Sequence, residues 1–146
     1  MKADPNPFAP PKANLEGSVQ DAGPAPPLWN PDAAGLWSLL FSPIFGSTLV
    51  MKNYQALGED ALARSARNWL IGSIFMLFVT AFLGGLGLVW IIVWYFAFQR
   101  KQTLYIRERW GKEYPRRGWG VPLLIALGVL VGIWALIIGV LVAVGR

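Results

Sequence analysis

The sequence contains neither cysteine nor histidine among its 146 residues. Without cysteine, a disulfide framework, thiolate chemistry and a cysteine metal site are excluded. Without histidine, the chain lacks the commonest general base and the commonest metal ligand. No glycine-rich phosphate loop follows a strand-like run, and no nucleophile lies beside a base that could activate it. We therefore interpret the chain as a non-enzyme that carries no cofactor and no metal.

Charge is also scarce. Only 14% of the residues are charged and 55% are hydrophobic, whereas soluble proteins carry about 25% charged residues. No ionisable residue lies in the middle of any long apolar segment, although ion-coupled carriers and proton relays usually need one there. The composition predicts an all-α fold, a polytopic integral membrane helical bundle of three to four membrane segments, and it disfavours a carrier or channel.

Residues 1–31 differ in composition from everything after them. They hold eight of the chain's 11 prolines and show no apolar periodicity. This pattern predicts a disordered, proline-rich N-terminal tail. No basic start followed by an apolar run is present, so no cleavable signal peptide is evident. The remaining residues, 32–146, are predicted to form one membrane domain.

The uncharged block Trp69–Phe98 decides the topology of that domain. As one α-helix it would measure about 45 Å, too long for a hydrocarbon core of roughly 30 Å at the usual tilt. Basic residues flank both of its ends, and a single span would place one basic group on the outer side. We therefore predict a hairpin of two transmembrane helices, 66–83 and 86–103, although the central glycines could instead be packing positions in one tilted helix. The predicted outer turn contains Gly84, Gly85 and Gly87.

The first apolar segment, 36–52, is ambiguous because it is short and contains Pro43. Proline removes a main-chain donor and bends a helix. Apolar segments of this length occur both as spans and as re-entrant or interfacial helices. We leave both open and prefer a short spanning helix, which places the tail outside. A re-entrant helix keeps the tail in the cytoplasm.

Residues 104–119 are predicted to form a basic cytoplasmic loop or interfacial helix. Basic residues among aromatic ones beside a membrane span favour anionic headgroups, by about 1 kcal/mol per basic residue. The same pattern can stack on single-stranded nucleic acid, but the adjacent spans favour lipid, so no nucleic-acid partner is predicted. The candidate lipid- or partner-contact residues are Arg100, Lys101, Arg107, Arg109, Trp110, Lys112, Arg116 and Arg117.

The last segment, 121–144, has the ordinary length of a transmembrane helix. Its small residues fall on one face and include a small-xxx-small pattern, which lets two helix backbones approach closely. This face is predicted to pack against the chain's own helices, with contact to a partner protein or a second copy as the alternative. The candidate helix-packing residues are Gly128, Gly132, Ala135, Gly139 and Ala143.

Two motifs carry a resemblance. The run from Trp29 to Ser47 reads WNPDAAGLWSLLFSPIFGS, and the run from Tyr114 to Leu123 reads YPRRGWGVPL. As a set they resemble small bacterial inner-membrane proteins of unknown function. The resemblance implies a multi-pass protein of the bacterial inner membrane and brings no catalytic residue. Some proteins of this general appearance look similar to immunity partners of secreted toxins.

Three functions are compatible with these patterns. The first is an accessory or scaffold subunit that holds a partner protein through helix packing and contacts anionic lipid at the cytoplasmic face. The second is a membrane immunity protein that neutralises a secreted toxin. The third, a small carrier or channel, is the weakest because the apolar segments lack internal charge.

Overall fold

The structure is a computed structural model that describes residues 23–145. Every regular element in this range is helical, which confirms the all-α prediction. Most of the predicted disordered tail, residues 1–22, lies outside the described residues. The elements in chain order are α1 (Pro31–Phe41), α2 (Pro43–Ala56), α3 (Asp60–Leu83), α4 (Leu86–Trp94), a π-helical segment (Tyr95–Gln99), α5 (Arg100–Trp110) and α6 (Gly120–Val144).

Two short helices, α1 and α2, occupy the region where one helix over 36–52 was predicted. Ser42 separates them with φ 100°, a conformation that cannot continue a helix. Pro43 then begins α2, because proline lacks the N–H that a helix interior needs. With 11 and 14 residues, the two helices measure only about 17 Å and 21 Å.

The π-helical segment joins α4 to α5 without a break, since the junction residues Trp94 and Arg100 keep right-handed helical torsions. Residues 86–110 therefore form one helix of about 38 Å, which we call the long helix. Pi-helical turns inside α-helices are found frequently at functional sites.

The helices α1 and α2 run in opposite directions along the long helix. The start of α1 lies beside α5, where Asp32 pairs with Arg107 at 3.1 Å. The middle of α2 lies beside α4, where Trp94 donates to Ser47, and Tyr54 near its end packs edge-on against Tyr105. Both open ends of this helical pair consequently lie at the level of α5, and the Ser42 bend lies toward α4.

A tight turn reverses the chain between α3 and the long helix. Gly84 has φ 60° and ends α3, and Leu86 already begins α4. The two helices then pack side by side: the rings of Trp69 and Phe98 stack at 5.5 Å, and the Trp90 indole donates to Ser73 Oγ at 3.2 Å.

The buried core occupies the α5 end of the bundle, between α2, α3 and the long helix. Its members are Val50, Tyr54, Ala63, Ala66, Trp94 and Phe98. Away from this core the helices present large aliphatic and aromatic side chains outward. Two helices, Asp60–Leu83 and Gly120–Val144, are long and apolar enough to cross a membrane, with 11% and 0% of their apolar windows buried.

Residues 28–31, which belong to the predicted tail, make defined contacts in the structure. Leu28 is fully buried, and its main chain pairs with the segment before α6 through Leu28 N–H to Pro115 O at 2.9 Å and Arg117 N–H to Leu28 O at 2.8 Å. Pro31 already belongs to α1. The composition of this segment predicted disorder, because local composition does not report pairing with a segment almost ninety residues away in the sequence.

Candidate functional site

A layer of buried polar side chains holds the α1–α2 pair against the long helix. Gln102, fully buried on α5, donates to Val50 O at 3.0 Å. Gln99, in the π-helical segment, donates to Pro31 O at 2.6 Å. Because buried amides without partners are costly, these long-range bonds fix where α1 and α2 lie. The apolar helix surfaces supply packing, and this polar layer sets how the helices are aligned along one another.

Asn53 is the centre of that layer. Its side chain accepts from Trp29 N–H at 3.0 Å and donates to Trp29 O at 2.9 Å, so it binds both main-chain groups of one residue. The Trp29 indole in turn donates to Gly118 O at 3.1 Å. These bonds tie α2, the segment before α1 and the segment before α6 together.

A close approach between α2 and α4 lies nearer the Ser42 bend. The buried Trp94 indole donates to Ser47 Oγ at 2.8 Å. A Cβ on Gly46 would lie 2.5 Å from the Trp94 ring and would also meet Ser38 Oγ. Only glycine fits there without a shift of the ring, so Gly46 sets the distance between the two helices.

Three charged or polar side chains meet where α2 turns into α3. The Tyr105 hydroxyl donates to Glu59 and accepts from Arg109, whose guanidinium lies 3.1 Å from the Glu59 carboxylate. The Tyr105 hydrogen bond, aided by Arg109, lowers the pKa of Glu59 despite partial burial. Burial and the bond to Glu59 raise the pKa of Tyr105 to about 12. The cluster therefore consists of a carboxylate, a neutral phenol and a guanidinium at neutral pH.

A small cleft of about 200 Å³ opens between the start of α1, α5 and the 111–116 segment. We call it the basic cleft because Arg107, Lys112 and Arg116 line it, against the single carboxylate of Asp32. Tyr114 also lines it. Burial raises the pKa of Tyr114, with Arg116 opposing that shift and Asp32 adding to it. Three cationic side chains, one carboxylate and one phenol therefore line one small space.

The eight predicted contact residues divide into distinct environments. Three line the basic cleft, Arg109 belongs to the Glu59 cluster, and the Arg117 guanidinium lies 4.6 Å from the centre of the Trp29 ring. The Trp110 indole donates to Gly23 O at 3.0 Å. Arg100 and Lys101 are exposed on the first turn of α5. Charge count alone could not separate these environments.

The predicted helix-packing residues lie on an open face of α6. No residue of α6 is buried, and a Cβ on any of the three glycines would meet nothing within 4 Å. In the described part of the chain this face does not contact the chain's other helices. The reason is geometric: α6 contacts α1 but does not enter the core formed by α2, α3 and the long helix. The exposed small residues are Gly128, Gly132, Ala135, Gly139 and Ala143.

The predicted turn glycines lie where α3 meets α4. Gly84 and Gly85 separate the two helices, whereas Gly87 belongs to the first turn of α4. A Cβ on Gly87 would lie 3.5 Å from the Thr80 side chain, an ordinary contact distance. Gly84 alone among them needs the left-handed conformation that glycine adopts freely.

Sequence reasoning missed the polar layer and Gly46. Gln99 and Gln102 lie in a stretch dominated by arginine and lysine, and Asn53 follows Lys52, so all three resembled solvated positions. One signal was available, since uncharged amides at i and i+3 share a helix face. No family model, curated protein or solved structure compared with this chain matches it.

Proposed function

We propose that this chain is a non-enzymatic protein of the bacterial inner membrane that acts as an accessory or scaffold subunit. In this proposal α6 packs against a transmembrane helix of a partner protein or of a second copy. One observation carries the proposal: α6 is a 25-residue apolar helix with no buried residue, and its small-residue face is open.

The glycines on that face are the reason to propose packing rather than simple immersion in lipid. Each glycine inside a helix costs about 1 kcal/mol relative to alanine. A helix that met only lipid tails would gain nothing from three of them on one face. Close approach of a second backbone offsets the cost through van der Waals contact, which small residues permit.

The proposed topology has three spans and one re-entrant pair. The helix α3, the long helix and α6 each measure more than the roughly 30 Å of a hydrocarbon core. Both ends of the α1–α2 pair lie beside α5, and neither helix is long enough to cross. With the basic residues in the cytoplasm, the Gly84–Gly85 turn lies outside and the start of α1 lies inside.

The packing proposal is tested by purifying the tagged full chain from membranes of its native host in mild detergent. Native mass spectrometry of the complex then shows whether a partner or a second copy is bound. We expect Gly132→Leu to release it, because the added side chain separates the two backbones. Gly132→Ala keeps the residue small, and Val140→Leu adds bulk on another face, so both controls retain the complex. Equal retention by Gly132→Leu contradicts the proposal.

The topology is tested by single-cysteine labelling, which is clean because the chain has no cysteine of its own. A membrane-impermeant maleimide is added to intact spheroplasts and then to permeabilised ones. We expect Gly85→Cys to react in intact spheroplasts, and Gly23→Cys and Lys112→Cys to react only after permeabilisation. Reaction of Gly85→Cys only after permeabilisation rejects the hairpin topology. Reaction of Gly23→Cys from outside shows instead that α1–α2 spans.

The immunity function and the carrier or channel function gain no specific support from the described residues. Ser47, Gln99 and Gln102 each bond to another side chain or to the main chain, and among the buried side-chain polar atoms of the described residues only Gln99 Oε1 has no partner. Such bonds position helices, and this use supports a structural role for the interior.

A further inference from the structure

We propose that the basic cleft binds the phosphate group of one anionic phospholipid, with phosphatidylglycerol as the simplest example. This proposal rests on the membrane placement proposed above. It goes further by assigning a ligand class to a defined site.

The charge of the basic cleft is complementary to that of a phosphate group. Asp32 is paired with Arg107 at 3.1 Å and compensates one of the cleft's three cations. Lys112 and Arg116 make no ion pair with any residue in the described range 23–145. The cleft therefore holds a local excess of two positive charges, while a phosphodiester headgroup carries one negative charge. An anion bound there gains charge-assisted hydrogen bonds from an ammonium and a guanidinium.

The volume of the basic cleft suits a small group. A volume of about 200 Å³ lies below the roughly 300–1,000 Å³ typical of pockets for drug-sized molecules. The cleft therefore accommodates a small group such as a phosphate with its first ester atoms. A nucleic acid strand, which needs an extended groove and stacking surfaces, does not fit that description.

The position of the basic cleft favours a lipid as the source of the phosphate. The cleft lies at the start of α1 and just before α6, and these two helices contact each other. Both present exposed aliphatic side chains beyond it, with Leu36 and Val121 each 70% exposed. A lipid whose headgroup occupies the cleft can therefore lay its acyl chains along an apolar surface. Free phosphate has no apolar part that could be buried on that surface.

The test is native mass spectrometry of the full chain in a neutral detergent, titrated with phosphatidylglycerol and, separately, with phosphatidylcholine. We expect one phosphatidylglycerol to bind in preference to phosphatidylcholine. The double variant Lys112→Gln/Arg116→Gln should weaken that binding by about fivefold per cation removed. The conservative variant Lys112→Arg should retain it, since the charge is kept.

The matched control is the double variant Lys52→Gln/Arg64→Gln, which removes one lysine and one arginine from exposed positions on α2 and α3 outside the cleft. We expect this control to bind like the wild type. Equal weakening by both double variants overturns the site, because binding would then follow net charge alone. Release of the bound phosphatidylglycerol by millimolar inorganic phosphate overturns the assignment to a lipid.

Failure of this proposal is distinguishable from failure of the proposed function. If only the cleft assignment is wrong, the protein still partitions into membranes and the Gly132→Leu effect persists. If the membrane placement itself is wrong, the wild-type chain remains in the aqueous fraction after membranes are sedimented. A thermal melt of each variant, followed by circular dichroism, separates loss of binding from loss of the helical fold.

Discussion

The side chain of Asn53 binds both main-chain polar groups of Trp29, accepting from its N–H at 3.0 Å and donating to its C=O at 2.9 Å. An asparagine amide can do this because it carries a donor and an acceptor side by side. The arrangement resembles one rung of a β-ladder made by a side chain. It fixes the segment before α1 to α2, and Leu28 fixes the same segment to the residues before α6.

Replacement of Asn53 by leucine is expected to destabilise the protein by roughly 1–3 kcal/mol, since the Trp29 main chain loses both partners. The measurement is the thermal unfolding midpoint in detergent, with the rate of proteolytic cleavage within residues 23–30 as a second readout. We expect a lower midpoint and faster cleavage. Gln55→Leu removes an exposed amide from the same helix and serves as the control. Equal midpoints for the two variants contradict the role given to Asn53.

Much of the helical layout was predictable because its causes are local in the sequence. Length and charge placement predicted a reversal at Gly84 and Gly85, and uninterrupted apolar runs predicted the helices on either side. Pro43 showed that a helix must bend. It could not show that α1 and α2 fold back on each other, because that depends on contacts with the long helix.

The polar layer was not predictable for a different reason. Asn53, Gln99 and Gln102 bond to groups 24 to 68 positions away, and no periodicity in the sequence reports such pairs. For α6, the sequence pattern was visible but did not identify the neighbour. Its glycine spacing predicted close packing, but the pattern is equally suited to an intramolecular and an intermolecular neighbour.

The Glu59 cluster predicts a pH dependence of stability. The folded-state pKa of Glu59 lies below its ordinary value of 4.5, so the carboxylate contributes stability above that value. This contribution is lost as pH falls through the lowered folded-state pKa. We expect the thermal midpoint of the wild type to fall below about pH 4.5 more steeply than that of Glu59→Gln. Because the cluster is partly exposed, the contribution of ionised Glu59 to the free energy of unfolding is about 1 kcal/mol or less.

The control for that pH series is Glu108→Gln, which removes an exposed acid of α5 outside the cluster. Its pH profile should follow that of the wild type. Tyr105→Phe removes the hydrogen bond that does most to lower the Glu59 pKa, so its profile should approach that of Glu59→Gln. Identical profiles for the wild type and Glu59→Gln are the result that would refute the assignment.

Gly46→Ala is expected to destabilise the protein by about 1–3 kcal/mol, because the new methyl group would overlap the Trp94 ring and Ser38. The comparison is Gly128→Ala in α6, where the same methyl group would meet nothing within 4 Å. Alanine favours helix over glycine, so that variant should be unchanged or more stable. Thermal midpoints of both variants in the same detergent provide the measurement, and shifts of the same sign would contradict the close α2–α4 approach.

The bond between Ser47 and Trp94 should appear as a coupling in a double-mutant cycle. Ser47→Ala removes the acceptor and Trp94→Phe removes the donor of one buried hydrogen bond of 2.8 Å. Each single variant loses that bond, and the double variant cannot lose it twice. The double variant should therefore be destabilised by about 1 kcal/mol less than the sum of the two single variants. Free energies of unfolding in a mixed-micelle denaturant titration supply the four values. Strict additivity would mean that the two side chains do not interact, and the approach of α2 to α4 would then rest on Gly46 alone.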